Sequence, residues 1–394
     1  MIKIAFIEQD AGIGGAEVNL LYLFRLMNRE RFRAVVIVPY EGPLTERLKE
    51  LKVEFHVISR AKLMSTSTYI FGKKIFNPLA VLYDIVISVS GVLKIRTFLR
   101  RERVDIVHTN SMVAHVYGAF AAKLAGVPSI WHMQDIIDPR MALGSICKTM
   151  VFLGGILPQR IAVVSRTVGT MFYGKSASRV CVIYNGTDCK SFSPETDGSA
   201  VRKELGISDC GSVVGIVGRL TPWKGQREFL RAAAIVSEQI PETRFLIVGD
   251  TTFGSTEYKA ELCRITEEMG LSSKVIFTGF RTDVSELIAA MDLCVLSSVL
   301  PDPCPLVLFD YMASGKPVVA TKLGGAPEIV ENGKNGFLVD PSRTDEFADR
   351  MIALLKDRQL RERISSAARK RVEECFTVEK FVHQFERLYD EVVR

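Results

Sequence analysis

Two stretches of this 394-residue chain hold side chains whose types and spacing can do chemistry. In the first, Gly218, Arg219, Leu220, Thr221, Pro222, Trp223, Lys224 and Gly225 lie between a β-branched apolar run and a helical pattern that opens near Gln226. Arg219 and Lys224 on one strand-to-helix turn can both reach one diphosphate, the guanidinium as a planar fork and the ammonium as a point charge. In the second, Asp302, Pro303, Cys304, Pro305, Leu306, Val307, Leu308, Phe309 and Asp310 follow another apolar run. The prolines put Asp302 in a loop and Pro305 at the first turn of a helix, with Asp310 one turn further in. Two carboxylates so spaced can bond hydroxyls, the groups that sugars and riboses present.

Glycine marks further turns. Gly12, Gly14, Gly15, Ala16 and Glu17 follow the first apolar run and open a helix carrying Leu20, Leu21, Leu23 and Phe24. Such a turn lets a ligand approach the backbone and offers an anion the free N–H groups of a helix start. The spacing is not that of a dinucleotide fingerprint, so a plain tight turn is the alternative. Gly315, Lys316 and Pro317 lead into a strand, and Gly324, Gly325, Ala326, Pro327 and Glu328 follow it, either as a second phosphate-facing loop or as a packing turn. Among the histidines, His108 and His132 fall in or just after strands, and Asp135 stands close enough in sequence to orient the His132 imidazole. His56, His115 and His383 fit packing or surface positions. No nucleophilic triad and no metal-ligand spacing emerges, so neither a metal nor another cofactor is expected.

These groups need elements to hold them, and the chain supplies α/β units twice. Apolar runs of strand length alternate with stretches of helical period, the pattern of βαβ units and a mostly parallel sheet. The expected strands are 3–8, 34–39, 54–58, 105–109, 129–133, 161–165 and 180–184 in the first half. In the second they are 213–217, 244–248, 274–278, 293–296, 317–320 and 336–339. Between the sets, Asn185 to Gly206 is rich in turn formers and reads as a linker, giving domains 1–187 and 188–376. Three helical stretches close the chain, and the last has apolar residues at 378, 381, 382, 385, 388, 389 and 392, one continuous face. Ligands of open α/β sheets bind outside the carboxyl ends of the strands, so a cleft between two facing domains is the expected site.

With 47% hydrophobic and 24% charged residues the composition is that of an ordinary soluble protein. The N-terminal run carries Glu8 and Asp10, which no signal-peptide core tolerates, and reads as a strand of a cytoplasmic protein. The longest apolar stretch, Leu79 to Ile95, is interrupted by Asp84 and Lys94, too short to span a bilayer, and reads as a buried or membrane-resting helix. Eight scattered cysteines without a C-x-x-C pair read as small buried hydrophobes. Residues 1–187 hold 24 Lys and Arg against 13 Asp and Glu, a net +11, whereas residues 188–394 hold 27 against 32, a net −5. The basic half, with clusters Lys73–Lys74 and Arg96, Arg100, Arg101 and Arg103, calls for an anionic partner such as a membrane surface or a phosphorylated lipid, or else is a solvated face. No aromatic-interleaved basic stripe supports nucleic acid.

Taken together and in order, GRLTPWKG, PDPCPLVLFDYMASGKPVVAT and GGAPEIV resemble glycosyltransferase family 4, the retaining transferases of GT-B fold. The resemblance covers essentially the whole second domain; in the first, only GGAE and the His132 strand share it. It implies two Rossmann-like domains facing a central cleft, with the final helix, from about 377, crossing back to the N-terminal domain. It implies a nucleotide-diphosphate sugar, UDP- or GDP-linked, as donor, and a lipid-linked or glycan acceptor at the inner membrane face. Arg219 and Lys224 would hold the diphosphate, Asp310 would take the ribose-binding position, and Asp302 would bind the sugar hydroxyls with the backbone N–H groups of Leu306 and Val307 beside Pro305. Phe280 and Arg281 would border the base, Gly15 would pack on the substrates and His132 would lie near the reacting sugar. The family pattern has two glutamates separated by seven residues, where this chain has Asp302 and Asp310, each about 1.5 Å shorter in reach. The same fold also serves nucleotide-sugar epimerases, disaccharide synthases and non-catalytic sugar-nucleotide binders, the alternatives to a transferase.

Overall fold

Strands with no polar face need cover on both sides, and the computed structural model gives them that cover in two parallel sheets. It describes all residues except 59–66, 71–72, 77, 137–143, 209–210 and 252–255, and no side chains within 59–88 or 137–146. Lys73, Lys74, Cys210 and most of the Leu79–Ile95 run therefore lie outside the described side chains.

The first unit comprises Met1–Ile183 with Phe381–Arg394, and the second Tyr184–Lys380. In the first unit the strands are β1 (Ile2–Ile7), β2 (Phe32–Val38), β3 (Glu54–Val57), β6 (Ile106–Thr109), β7 (Ser129–Met133), β8 (Arg160–Val163) and β9 (Val180–Val182). Their parallel order is β3-β2-β1-β6-β7-β8-β9, and a short antiparallel pair, β4 (Ser67–Ile70) and β5 (Lys73–Phe76), stands apart from that sheet. The pair has no counterpart in the sequence reading, because two four-residue runs leave too little periodicity to register. The second unit orders β12-β11-β10-β13-β14-β15, made of β10 (Val213–Val217), β11 (Arg244–Val248), β12 (Val275–Gly279), β13 (Leu293–Leu296), β14 (Val318–Thr321) and β15 (Phe337–Val339). Every expected strand forms, with ends shifted by at most two residues.

The last helix, Val378–Val393, buries all seven of its predicted apolar residues, and the six from Phe381 onward lie in the first unit, where Phe381, Phe385 and Tyr389 join Phe6, Phe24 and Phe32 in one core. The domain boundaries fall at Ile183 and Lys380 rather than at 187 and 376. The physical reason is local: Thr187 forms a bridge with Thr377, its N–H donates to the Phe376 carbonyl and its own carbonyl accepts from Val378. Residues 184–187 are thereby bound into the second unit. Among the described residues, no helix is long and apolar enough to cross a membrane.

Candidate active site

In the second sheet, β10 has β11 on one side and β13 on the other, so the chain order reverses between β10 and β13. At such a reversal open α/β sheets bind ligands outside the carboxyl ends of the strands, and a loop leaves each of these two strands there. The first loop is Gly218–Gly225, whose Pro222–Lys224 segment makes a single tight turn before the helix Gln226–Gln239. The second runs from Ser297 to Pro305 ahead of the helix Leu306–Ala313. Ser297 stitches them together, its hydroxyl donating to the Gly225 carbonyl at 2.8 Å, while the Val299 N–H donates to the Trp223 carbonyl at 2.9 Å. Gly225 cannot be another residue: its φ is 74°, and a Cβ would stand 1.8 Å from the Ser297 carbonyl oxygen.

This stitching brings the two sequence stretches together. Lys224 Nζ donates to Asp302 Oδ2 at 2.6 Å, and the ammonium also lies 4.3 Å from the centre of the Trp223 ring. Asp302 is buried, with only 8% of its side chain exposed, while Lys224 keeps 21%. Arg219 is exposed and, among the described residues, its guanidinium has no ion-pair or hydrogen-bond partner. Two hydroxyls in these loops, Thr221 Oγ1 and Ser298 Oγ, are buried without a hydrogen-bond partner. A buried hydroxyl without a partner can still bond a polar ligand, and sequence reasoning did not single out either one.

The Gly324–Gly325 turn proves to be a packing turn against the Asp302 loop. Gly324 has φ 57°, a Cβ on it would lie 2.1 Å from the Asp302 carbonyl oxygen, and the Gly325 N–H donates to that oxygen at 2.8 Å. Pro305 caps the next helix rather than sitting inside its first turn, so the leading N–H groups of Leu306 and Val307 are the ones left free for a ligand. Asp310 lies on that helix and accepts a 2.6 Å hydrogen bond from the Thr187 hydroxyl. Burial pushes the Asp310 carboxyl up to about 7, and the Thr187 hydroxyl pulls in the other direction. The neighbouring Tyr311 is fully buried, its hydroxyl accepting the Val217 N–H at the end of β10. Phe280, just past β12, is 79% exposed and free to take a flat ligand face. Arg281 is committed elsewhere, to Asp283 and Glu204, and those carboxylates raise its pKa.

In the first sheet the order reverses between β1 and β6. Gly15 is exposed at the start of the helix Gly15–Leu26, which Glu17 closes by accepting the Gly14 N–H at 2.7 Å. Glu8, the residue after β1, is buried at 2% exposure, and desolvation, then the Glu17 charge, push its carboxyl well above the usual range. The sequence reading used Glu8 only as evidence against a signal peptide, because nothing in a single strand foretells that its last side chain turns inward. His132 is buried with both ring nitrogens lacking a hydrogen-bond partner, so Asp135 does not orient it. Its ring packs instead 4.7 Å from Phe385 and 5.3 Å from His108, and desolvation lowers its pKa to about 3. His108 Nδ1 lies 2.8 Å from the Tyr389 hydroxyl, and His115 stacks on Trp131, as packing histidines do. Part of the basic cluster has structural duties: Arg96 and Arg100 both donate to the Leu124 carbonyl at the end of the helix Met112–Ala125, and Arg101 pairs with Glu102. The seven described cysteines form no disulfide with one another, and among them only Cys294 and Cys304 are buried.

Comparison with known proteins bears on what such a site does. Residues 199–371 match the family "Glycosyl transferases group 1", and residues 13–191 match "Glycosyltransferase Family 4". The chain is 31% identical to D-inositol 3-phosphate glycosyltransferase of Corynebacterium glutamicum over 69% of each protein. It is 25% identical to UDP-Gal:alpha-D-GlcNAc-diphosphoundecaprenol alpha-1,3-galactosyltransferase of Escherichia coli over 100% of this chain and 97% of that one. Among solved structures it resembles Anabaena HepE in complex with UDP and glucose, with a TM-score of 0.84 and 30% identity over 99% of this chain and 100% of that one.

Proposed function

This chain belongs to glycosyltransferase family 4, and on that premise we propose that it is a retaining transferase moving a sugar from a UDP- or GDP-sugar to a hydroxyl of a lipid-linked or glycan acceptor. One observation carries the donor half: Lys224 and Asp302 meet 2.6 Å apart where the strand order reverses, with unpaired Arg219 on the same loop. The unsatisfied hydroxyls of Thr221 and Ser298 beside them support a polar ligand there. UDP and UDP-glucose, named in the HepE complexes, favour uridine diphosphate as carrier. The diphosphoundecaprenol in the name of the Escherichia coli relative favours a lipid-linked acceptor.

The residues fit a displacement on one face of the donor. The acceptor hydroxyl oxygen bonds to the anomeric carbon as the bond from that carbon to the diphosphate oxygen breaks. The electron pair stays on the phosphate, and a diphosphate oxygen takes the hydroxyl proton. Attack and departure on the same face keep the anomeric configuration. Arg219 and Lys224 stabilise the charge growing on the leaving group, while Asp302, with the N–H groups of Leu306 and Val307, fixes the sugar hydroxyls. Asp310 binds the ribose, Phe280 takes the base, and Gly15 borders the reacting sugar. Two cations supply the charge a metal would otherwise supply, so the reaction proceeds in EDTA. The inner membrane face as working place is supported by the +11 charge of residues 1–187.

A panel of UDP- and GDP-sugars is screened by thermal shift, since a ligand that binds only the folded state raises the melting temperature. The donor that binds is then turned over with a lipid-linked acceptor in EDTA, and the linkage is read by NMR. An α-linked product from an α-linked donor is expected; an inverted product would overturn the retaining mechanism, and no donor shift at all would overturn the donor site. Vesicles of anionic lipid should sediment the protein at low salt and release it at high salt, whereas no capture at low salt would remove the membrane face.

A further inference from the structure

The site carries one feature that no resemblance assigns. The carboxylate on the helix Leu306–Ala313 is an aspartate, one methylene shorter than the family glutamate, and one of its oxygens is held by a residue from the segment that enters the second unit. We infer that Thr187 is a positioning residue for the donor nucleotide, its hydroxyl fixing the short Asp310 carboxylate so that the second oxygen meets the ribose hydroxyls. This rests on the reading of Asp310 as the ribose-binding carboxylate.

The geometry that supports it is a chain of fixed groups. Thr187 is itself immobile: 2% exposed, with N–H and carbonyl both bonded to the 376–378 segment and a bridge to Thr377. Its hydroxyl is therefore delivered from a rigid backbone to Asp310 Oδ1 at 2.6 Å, the short distance of a hydrogen bond to a carboxylate. A carboxylate with one oxygen tied has lost the freedom to rotate, so its other oxygen points one way. The tie also opposes the burial that would neutralise the carboxyl, and only the ionised form leaves the second oxygen purely an acceptor for the ribose hydroxyls while the first accepts from Thr187. A threonine hydroxyl in this place has no other described partner to serve, which separates it from an incidental surface contact.

The experiment compares binding of UDP, 2′-deoxy-UDP and 3′-deoxy-UDP by calorimetry to the full-length wild type and to the variants Thr187→Val, Thr187→Ala, Thr187→Ser and Asp310→Asn. Wild type should prefer UDP over at least one deoxy analogue by about tenfold or more, the worth of a hydrogen bond to a charged group. Thr187→Val, which keeps the shape and loses the hydroxyl, should lose most of that preference, as Asp310→Asn does, while Thr187→Ser keeps it. Thr187→Ala gives the same reading should the valine variant not fold. If Asp310→Asn loses the preference and the valine and alanine variants keep it, the positioning role is overturned and the ribose reading stands. Wild type that binds UDP and its deoxy analogues equally overturns both, as does wild type that binds neither UDP nor GDP; where GDP alone binds, the GDP, 2′-deoxy-GDP and 3′-deoxy-GDP series takes the place of the UDP series with the same readings.

Discussion

Replacing Lys224 by methionine keeps the apolar stem and removes the charge, leaving the Asp302 carboxylate alone at 8% exposure. Removing one partner of a buried ion pair costs about 3–5 kcal/mol. Because 21% of the lysine side chain still meets water, the figure is discounted to about 2–3 kcal/mol. The ammonium over Trp223 at 4.3 Å adds about 0.5–1 kcal/mol. A loss near 3 kcal/mol should lower the melting temperature of a unit of this size by about 6–12 °C. Adding Asp302→Asn should recover most of it, since no unpaired charge then remains. The chain has two tryptophans, Trp131 in the first unit and Trp223 in the second, so in a Trp131→Phe background fluorescence reports the second unit alone. Turnover separates the roles: both the single and the double variant should be slower by about a hundredfold to a thousandfold, the worth of one donor to a developing charge. A melting temperature lowered by less than about 2 °C, or a double variant as unstable as the single one, would refute the pairing as a stabilising contact. Unchanged turnover would refute Lys224 as the diphosphate cation.

Two further outcomes follow from the packing. Burial holds His132 at about 3 against an ordinary 6.5, so the unfolded chain takes up a proton between these values that the native state refuses. Stability from this group is therefore constant above 6.5 and falls as pH drops toward 3, and His132→Phe should gain on wild type by about 1.4 kcal/mol per pH unit below 6.5. Melting of both proteins in a Trp223→Phe background at pH 7.5, 6 and 5, followed by the fluorescence of Trp131, checks this, and a gap that does not change with pH contradicts it. Gly324→Ala pushes a Cβ into the Asp302 carbonyl and should raise the KM for the nucleotide sugar by about tenfold or more while UDP affinity changes less; equal losses for both would mean that the turn does not act through Asp302.

Much of this protein was legible in its residues. Most of the strands could be read because they are apolar on both faces, and the last helix because its seven buried positions follow one stripe. That Arg219, Lys224 and Asp302 stand in loops after strands, with Asp310 further along in the helix that follows, could be read because glycine and proline punctuate those ends. Local pattern ends where partners are chosen over long sequence distances. That Lys224 meets Asp302, 78 residues away, depends on β10 lying beside β13, and no local window contains that adjacency. The same holds for Thr187 reaching Asp310 across 123 residues, and for its pairing with residues 376–378, which binds residues 184–187 into the second unit. His132 makes the point in reverse: Asp135 is its neighbour in sequence, yet its surroundings are Phe385 and His108, because a parallel sheet packs its strand ends against a helix from the far end of the chain. Sequence by itself determined the elements and the chemical types at their ends, since these follow from periodicity and turn chemistry. Only the tertiary structure decided which carboxylate is paired, which is tied and which histidine is dry, because burial and partnership belong to the packed sheet order.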